Sequence, residues 1–436
     1  MLGTLLAPPV AASGYVVAFS GGRDSTALLH ALTHHAGVTT PIRAIHICHH
    51  LQPSAHRWAG HCAAICHEWG TPFETVDVQI VEQGRGVEAA AREARYRALA
   101  TTLHDGELLL TAHHARDQAE TFLLQALRGA GVDGLAAMPA LRRLGAGYHW
   151  RPWLGVSHDQ IVRYAERHAL SWVDDPSNAQ LDFDRNYLRN RVLPVLAERW
   201  PGFAHTLSRS AGHAAESAAL SAASARGDLE QVKDADALSC MALARLDEAR
   251  QRRAIRAWLE VHGRDRPDHR HLEQIRALIT AEMRASPCVH FATTDVRRHR
   301  DRLYCMSALA APPAHLDLNW KPDHELELPA GLGSLVMESG GHGVPELRVT
   351  LRSGGERIAD GRGRRRLSEV LRAGGVSPWL RERMPWVYHG ETLIAVADVW
   401  RHPQIDTLLT AVTGAIRWRH AIPGASFRVV GGRPFG

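Results

Sequence analysis

Residues 15–25 have the sequence YVVAFSGGRDS, which joins a short apolar run to a polar turn rich in glycine. The apolar run, Tyr15–Phe19, is typical of a strand that is buried on both faces, as in a parallel sheet. A helical pattern follows it over Thr26–His35. A strand, a tight turn and a helix in this order predict the first βα unit of an α/β fold. The turn then lies at the edge of the sheet where such folds bind ligands.

The same alternation continues along the N-terminal part of the chain. Strand patterns occur at Ile42–Ile47, Phe73–Val78 and Leu108–Ala112, and helix patterns at Ala55–Trp69, Val87–Thr102 and Asp117–Arg128. Repeated βα units predict a parallel sheet that helices cover on both faces.

The remainder of the chain has a different character. Helical patterns at Leu246–His262 and His269–Glu282 predict a mainly helical middle domain. Short strand patterns, such as Leu347–Leu351 and Thr392–Val396, predict a small α+β C-terminal domain. We place the three domains at residues 1–215, 216–320 and 321–436.

The turn after the first strand has the composition of a phosphate site. Gly21 and Gly22 allow backbone N–H groups to approach an anion, and Ser20 and Ser25 add hydroxyl donors. The start of the following helix adds free N–H groups. Asp24 would repel phosphate unless it holds Mg²⁺, which bridges carboxylates and phosphates. The alternative is an ordinary turn in which Asp24 or Ser25 is the N-cap of the helix.

Ser20–Ser25 as a whole resembles the PP-loop of the ATP pyrophosphatase group, which includes Arg23 in the motif. The resemblance implies that ATP is cleaved between its α- and β-phosphates and that an acceptor is adenylated. The only lysines of the chain are Lys233 and Lys321, so the lysine of a Walker-type P-loop is excluded here.

Further segments narrow the resemblance to one family. They are Gly86–Tyr96, Thr111–Thr121, Asp174–Asn178 with Phe183–Pro194, and, near the C-terminus, Leu351–Arg357 and Val376–Pro385. Together with the loop they resemble the tRNA(Ile)-lysidine synthetases. Two departures from that family's pattern occur. Arg116 stands where an acidic residue is common, and no glycine follows His49-His50.

The resemblance implies a two-step reaction on tRNA(Ile) with a CAU anticodon. The C2 oxygen of the wobble cytidine, position 34, attacks the α-phosphorus of ATP. Free L-lysine then attacks C2 and expels AMP, which changes codon recognition from AUG to AUA. This order is chemically required, because the base carbonyl becomes a good electrophile only when its oxygen can leave. The amine must also be neutral to attack, and a carboxylate is suited to take its proton.

The resemblance also assigns roles to residues. Ser20, Gly21, Gly22, Arg23, Asp24 and Ser25 would bind ATP, with Asp24 as the Mg²⁺ ligand. Asp117 and Glu120 are three residues apart, so a helix places both carboxylates on one side, where they would bind lysine. Arg92 or Arg95 would assist, with Asp24, Asp117 and Arg95 as the catalytic residues. The alternative for Glu88, Arg92 and Arg95 is a solvated helix face with i,i+4 ion pairs.

An arginine-rich segment predicts contact with the tRNA. Arg352–Arg383 contains nine arginines and four acidic residues. Clustered arginines bind phosphate backbones. We predict tRNA contacts from Arg362, Arg364, Arg365, Arg366 and Trp379. The alternative is a solvated loop in a protein that uses arginine almost exclusively as its basic residue.

Other functions remain as alternatives at this point. A PP-loop tRNA thiolase is the main one, although no Cys-X2-Cys pair is present for a cluster or relay. An RNA-binding protein with a degenerate loop is disfavoured by Asp24. A zinc site is a weaker option, with His46, His49, His50, His113, His114, Cys62 and Cys66 as candidates.

The apolar runs, the N-terminal segment and the cysteines indicate where in the cell the protein lies. No apolar run reaches the roughly eighteen residues that cross a bilayer, and Met1–Ala12 lacks the basic start of a signal peptide. The six scattered cysteines do not require disulfides. We expect a cytoplasmic protein without a membrane partner. The oligomeric state does not follow from the sequence, and a homodimer is one alternative.

Overall fold

The computed structural model describes residues 2, 6–35, 37–48, 55–79, 87–176, 180–282, 287–338, 343–352, 357–359, 364–402, 404–405, 415–420 and 422. The chain forms two compact units, Met1–Leu220 and Ser221–Gly436. Each is described by itself. The predicted division into three domains is finer than this and stays a prediction.

The first unit is built on a six-stranded sheet. Its strands are β1 Gly14–Ala18, β2 Ile42–Cys48, β3 Phe73–Asp77, β4 Glu107–Leu110, β5 Leu141–Leu144 and β6 Gly147–Trp150. Their order is β3-β2-β1-β4-β6-β5. All neighbours are parallel except the β5–β6 hairpin. The predicted parallel sheet is therefore confirmed, and the hairpin is an addition at its edge.

Helices cover both faces of this sheet, as predicted. They are α1 Arg23–Thr33, α2 Ala55–Glu68, α3 Val87–Thr102, α4 Ala115–Leu127, α5 Val132–Leu135 and α6 His158–Arg167. Alternate residues of β1 point to opposite faces. Val17 packs in one core with Leu28 of α1, and Val16 packs in a second core with Leu99 of α3. This alternation explains why β1 is apolar throughout.

The strand order determines where the polar segments lie. Strands β1, β4 and β6 are neighbours and parallel, so their carboxyl ends meet at one edge. The Ser20–Ser25 turn follows β1, residues 111–117 follow β4, and Arg151 follows β6. The three segments that carry the candidate chemistry are therefore side by side.

A helical extension follows the sheet. It contains α7 Asp184–Tyr187, a π-helical turn at Leu188–Val192, α8 Leu193–Arg199 and the long helix α9 Phe203–Val232. The π-helical turn continues directly from α7. It carries Arg189, which faces the end of β4. None of the helices in the described ranges is both long and apolar enough to span a membrane.

The second unit begins with the predicted helices of the middle region. After α10 Cys240–Leu243, helices α11 and α12 occupy Glu248–Val261 and His269–Ala277. They pack on an antiparallel sheet that the sequence did not predict, in the order β7-β8-β11-β10-β9. Its strands are β7 Lys233–Asp234, β8 Ala237–Ser239, β9 Cys288–Phe291, β10 Thr294–His299 and β11 Arg302–Ser307. Trp258 lies in the core between helices and sheet.

The C-terminal region is α+β, as predicted. One sheet has the order β12-β15-β18-β19-β20, a second β13-β14-β21, and a third β16-β17. The strands are β12 Asp317–Trp320, β13 Leu326–Leu328, β14 Gly333–Glu338, β15 Leu347–Thr350, β16 Arg357–Ala359, β17 Arg364–Arg366, β18 Trp386–His389, β19 Thr392–Val396, β20 Trp400–Arg401 and β21 Ala415–Arg419. Two short helices, α13 Leu367–Ala373 and α14 Pro378–Arg381, pack in the same core.

Candidate active site

The start of α1 has no side-chain cap, and within the turn before it the Gly22 N–H donates to Ser20 Oγ at 3.4 Å. The N-cap of α1 is Gly22, which makes no side-chain cap hydrogen bond, so neither Asp24 nor Ser25 is the N-cap. Ser25 Oγ donates to the Gly22 carbonyl at 2.9 Å and lies 3.1 Å from Ser20 Oγ. Gly21 has φ +79°, and a Cβ there would lie 2.8 Å from Cys62 Sγ. The turn therefore requires glycine at position 21, and its geometry suits an anion.

Asp24 is ionised at the edge of this turn. Burial alone would raise the pKa of Asp24, but the hydrogen bond and charge of His114, with Arg23, hold the pKa below its usual range. About a third of its side chain is exposed, so a ligand can reach the carboxylate. An accessible, charged oxygen donor beside a phosphate cradle fits the chemistry of Mg²⁺.

Asp24, His114 and His158 form a group with metal-ligand spacing, since one ligand atom of each lies within 4.8 Å of the others. The hydrogen bonds of His114 argue against imidazole ligation there. Its Nδ1 accepts from Arg116 N at 3.2 Å, which places the proton on Nε2. Nε2 in turn lies 3.5 Å from Asp24 Oδ2 and 3.5 Å from Asp117 Oδ2. His114 therefore acts as a donor that connects Asp24 with Asp117.

The predicted zinc candidates Cys62 and Cys66 are packed in the core instead. Cys62 Sγ lies 3.6 Å from His46 Nδ1, which is also 2.9 Å from the Phe19 carbonyl. Burial raises the pKa of Cys62 to about 12 and that of Cys66 to about 11. Thiols of this kind stay protonated, whereas a zinc ligand must be a thiolate. His49 and His50 lie outside the described residues.

Asp117 and Glu120 face the same side of α4, as predicted, but both already contact arginines. Arg189 donates to Asp117 Oδ1 at 2.9 Å and to both oxygens of Glu120 at 2.7 and 2.8 Å. Arg185 donates to Glu120 Oε2 at 3.0 Å and approaches Asp117 at 3.5 Å. We call these four residues the carboxylate–arginine cluster. Its two negative and two positive charges balance.

The two carboxylates differ in access. Glu120 is fully buried, and its oxygens are taken up by the two arginines. The side chain of Asp117 is 12% exposed. Burial would raise the pKa of Asp117, but His114, His113 and the two arginines hold it well below its usual range. Asp117 is therefore the carboxylate of the pair that a ligand could contact.

The sequence did not assign the arginines of this cluster. Arg185 and Arg189 are within the motif Phe183–Pro194, and their i,i+4 spacing was the available signal. Arg116, the departure from the family pattern, donates to the Arg189 carbonyl at 2.8 Å. Arg116 therefore helps to hold the backbone of Arg189 in place.

Arg92 and Arg95 lie beside a different group. The guanidinium carbons of Arg92, Arg95 and Arg142 lie 5.1, 5.3 and 4.9 Å from the ring centre of Tyr96. Arg151 follows β6. Burial would raise the pKa of Tyr96, but Arg151 and these three arginines hold it below its usual range. We call Tyr96 and these four arginines the Tyr96 arginine cluster. The Glu88 side chain lies outside the described residues, so the predicted ion-paired helix face stays a prediction.

The structure describes only some of the residues that were predicted to contact tRNA. Trp379 is 3% exposed and packs against Tyr304, His299 and Arg297. It is a core residue, which favours a packing role, and its predicted contact with tRNA stays a prediction. Arg366 is exposed at the start of α13. Arg362 lies outside the described residues, and for Arg364 and Arg365 only the backbone strand β17 is described.

Comparison with known proteins gives matches in the N-terminal, middle and C-terminal parts of the chain. Residues 2–196 match the PP-loop domain, residues 238–304 the TilS substrate binding domain, and residues 347–418 the TilS substrate C-terminal domain. The tRNA(Ile)-lysidine synthase of Coxiella burnetii is 41% identical over 88% of this chain and 88% of its own. That of Pseudomonas aeruginosa is 41% identical over 92% of each chain.

Among solved structures, a U34-tRNA thiolase from Methanococcus maripaludis, with its [4Fe-4S] cluster, has a TM-score of 0.40 and 16% identity. The match covers 49% of this chain and 76% of the thiolase chain. A likeness at this level carries no weight beside the sequence relatives.

Proposed function

The chain belongs to the tRNA(Ile)-lysidine synthase family, and we propose which step of lysidine formation each group of its side chains serves. The enzyme is an ATP-using ligase that forms lysidine on tRNA(Ile). We propose that the acceptor is the cytidine at position 34 of a CAU anticodon. Free L-lysine is the nucleophile, and adenylation of the base precedes its attack.

In the first step, the turn after β1 holds the pyrophosphate of ATP. The uncapped N–H groups at the start of α1 donate to the β- and γ-phosphates, and the Ser20 and Ser25 hydroxyls add to them. Asp24 would hold Mg²⁺, which neutralises phosphate charge when bound. The cytidine oxygen forms a bond to the α-phosphorus, and pyrophosphate leaves with the electron pair of the broken bond.

In the second step, the carboxylate–arginine cluster receives lysine. Asp117 is ionised and partly accessible, so it orients the ε-amine. Arg185 and Arg189 contact the same carboxylate and hold it in place beside the incoming amine. Glu120, being fully buried, acts by holding Arg185 and Arg189 in position.

The amine nitrogen forms a bond to C2 and gives up a proton, for which the Asp117 carboxylate is the nearby acceptor, and AMP leaves with the electron pair of the C2–O bond. The observation that carries this proposal is the connection of the two half-sites. His114 lies 3.5 Å from both Asp24 and Asp117, so the phosphate turn and the amine cluster belong to one site.

The experiment is a reaction of the purified protein with ATP and a tRNA(Ile) transcript bearing CAU, followed by nucleoside mass spectrometry. We expect lysidine and AMP, both dependent on lysine, and no lysidine on a methionine tRNA transcript. Asp24→Asn should abolish AMP formation while the protein still folds and binds tRNA. A sulfur-containing product, or normal AMP formation by Asp24→Asn, would contradict the proposal.

A further inference from the structure

Among the described residues, the Tyr96 arginine cluster has no carboxylate that balances its positive charge. Within the part of the chain that the structure describes, none of Arg92, Arg95, Arg142 and Arg151 forms an ion pair with a carboxylate. Arg151 is only 3% exposed, and burial is the main cause that lowers its pKa to about 10. Buried charge without a partner is costly, so a cluster of this kind indicates an anion that is supplied from outside.

One buried polar group in the cluster is also unsatisfied. Arg151 Nε is shielded from solvent and has no hydrogen-bond partner among the described residues. The rest of the Arg151 guanidinium is partly used, since Nη1 donates to the Pro139 carbonyl at 2.6 Å and the guanidinium contacts the Tyr96 hydroxyl. His149 is fully buried beside the cluster, accepts from Arg142 Nε at 3.4 Å, and is neutral because burial and then Arg151 lower its pKa. Native proteins rarely leave buried donors unpaired, so Arg151 Nε points to a ligand that accepts hydrogen bonds.

The cluster is open on one side and closed on the other. Arg92 and Arg142 are exposed, Arg95 and Tyr96 are half-buried, and Arg151 forms the closed end. Arg151 follows β6, which is next to β4 and two strands from β1. At about 4.8 Å between strands, β6 is roughly 10 Å from β1, the strand that the phosphate turn follows. That turn has donors of its own, the N–H groups at the start of α1.

We propose that the Tyr96 arginine cluster binds a phosphodiester of the RNA substrate, next to the base that enters the active site. The inference rests on the proposed function and adds the place where the backbone is held. Four guanidinium groups carry more charge than a small monoanion such as the lysine carboxylate requires. Their forked donors match phosphate oxygens, and the exposed rim admits a polymer.

The matched pair of variants is Arg142→Gln and Arg143→Gln. These exposed neighbours on β5 point to opposite faces, Arg142 over Tyr96 and Arg143 over Tyr148 at 4.9 Å. Binding of the tRNA(Ile) transcript is measured without ATP or lysine over a range of salt. Arg142→Gln should weaken binding about tenfold and reduce the slope of log Kd against log salt by about 0.7–0.9, as for one lost phosphate contact. Arg143→Gln should change neither quantity.

Tyr96→Phe tests the hydroxyl separately. It should weaken tRNA binding about threefold, because it removes one hydrogen-bond donor to the phosphodiester. Equal tRNA affinity and salt slope for Arg142→Gln and Arg143→Gln would overturn the proposal. A rise in the KM for lysine or ATP, with tRNA binding unchanged, would also overturn it and assign the cluster to that substrate. Because binding is measured without lysine, failure of the lysine reaction itself would appear separately, in the wild-type protein.

Discussion

The carboxylate–arginine cluster after β4 and the Tyr96 arginine cluster beside β6 both hold guanidinium groups at one edge of the sheet, but only the first contains their counter-charges. In the first, Arg185 and Arg189 are fixed by Glu120 and Asp117 over distances of 2.7–3.5 Å. In the second, Arg151 is more deeply buried than either of these arginines, and no carboxylate of the described residues pairs with it. We therefore expect the first cluster to be neutral and ordered before a ligand binds. We expect the charge of the second to be neutralised only when an anion binds.

The largest expected effect comes from breaking the balanced cluster. Glu120→Gln leaves Arg185 and Arg189 without the charge that both contact, in a position with no solvent access. We expect the free energy of unfolding to fall by about 3 kcal/mol and lysidine formation to fall by about 100-fold or more. Urea denaturation and single-turnover assays measure the two effects.

The control is Glu93→Gln, which breaks the exposed pair with Arg97 at 2.8 Å. An exposed i,i+4 pair contributes about 0.5 kcal/mol or less. Equal destabilisation by the two variants would show that Glu120 is not the anchor of the cluster.

The next effect separates the two carboxylates of the balanced cluster. Asp117→Asn removes the charge that is accessible to a ligand. We expect the KM for lysine to rise about tenfold to 100-fold, since a charge-assisted contact is lost, while ATP binding changes little. The measurement is product formation against lysine concentration at saturating ATP and tRNA. Loss of ATP affinity with an unchanged KM for lysine would reassign Asp117 to the nucleotide.

The two clusters should also lose stability in different pH ranges. The pKa of His149 in the folded protein is lowered, by burial and then by Arg151, so the unfolded chain binds a proton first as the pH falls below about 6.5. Stability near His149 is therefore present above that pH and is lost below it. The pKa of Asp117 is also lowered, so its contribution is lost only as the pH falls below about 3.9.

His149→Gln tests this order of events. Between pH 7 and 5, the variant should lose less stability than the wild type, by up to about 1.4 kcal/mol per pH unit. Urea midpoints at several pH values measure it. Parallel curves for the two proteins would show that His149 does not titrate on unfolding in this range.

The smallest effect is a gain in stability from the unbalanced cluster. Arg142→Gln removes one of several like charges around Tyr96, and we expect the free energy of unfolding to rise by about 0.5 kcal/mol. The same variant should bind tRNA more weakly, so stability and binding should change in opposite directions. A thermal melt at low salt, where repulsion is least screened, is the sensitive measurement. A fall in stability would mean that the hydrogen bond from Arg142 Nε to His149 Nδ1, at 3.4 Å, outweighs the repulsion among the arginines.

The sequence predicted the features that depend on local pattern. The βα alternation, the phosphate turn and the shared orientation of Asp117 and Glu120 all follow from residues close together in the chain. The partners of these carboxylates could not be predicted in the same way. Arg189 is 69 residues from Glu120, and only the folded chain brings them together.

Other features that the sequence did not predict also depend on residues that only the folded chain brings together. Arg142 and Arg151 reach Tyr96 through the β5–β6 hairpin, which periodicity did not reveal. Trp379 was predicted to contact tRNA from the arginines around it, yet burial of an aromatic ring is decided by the core that forms beneath it. The strands of residues 288–307 are short and alternate weakly, so the two neighbouring helices dominated the prediction for the middle domain.

The tight contact between Gly21 and the Cys62 thiol has a practical consequence for spectroscopy. Five of the six cysteines are buried, and only Cys288 is exposed. Cys62 is protected twice, by burial and by a pKa of about 12, so alkylating reagents should not reach the thiol that supports the phosphate turn. A maleimide dye should therefore attach to Cys288 in the unmodified chain. The natural sequence thus offers a single attachment point for a fluorescent reporter on the second unit, without any engineered substitution.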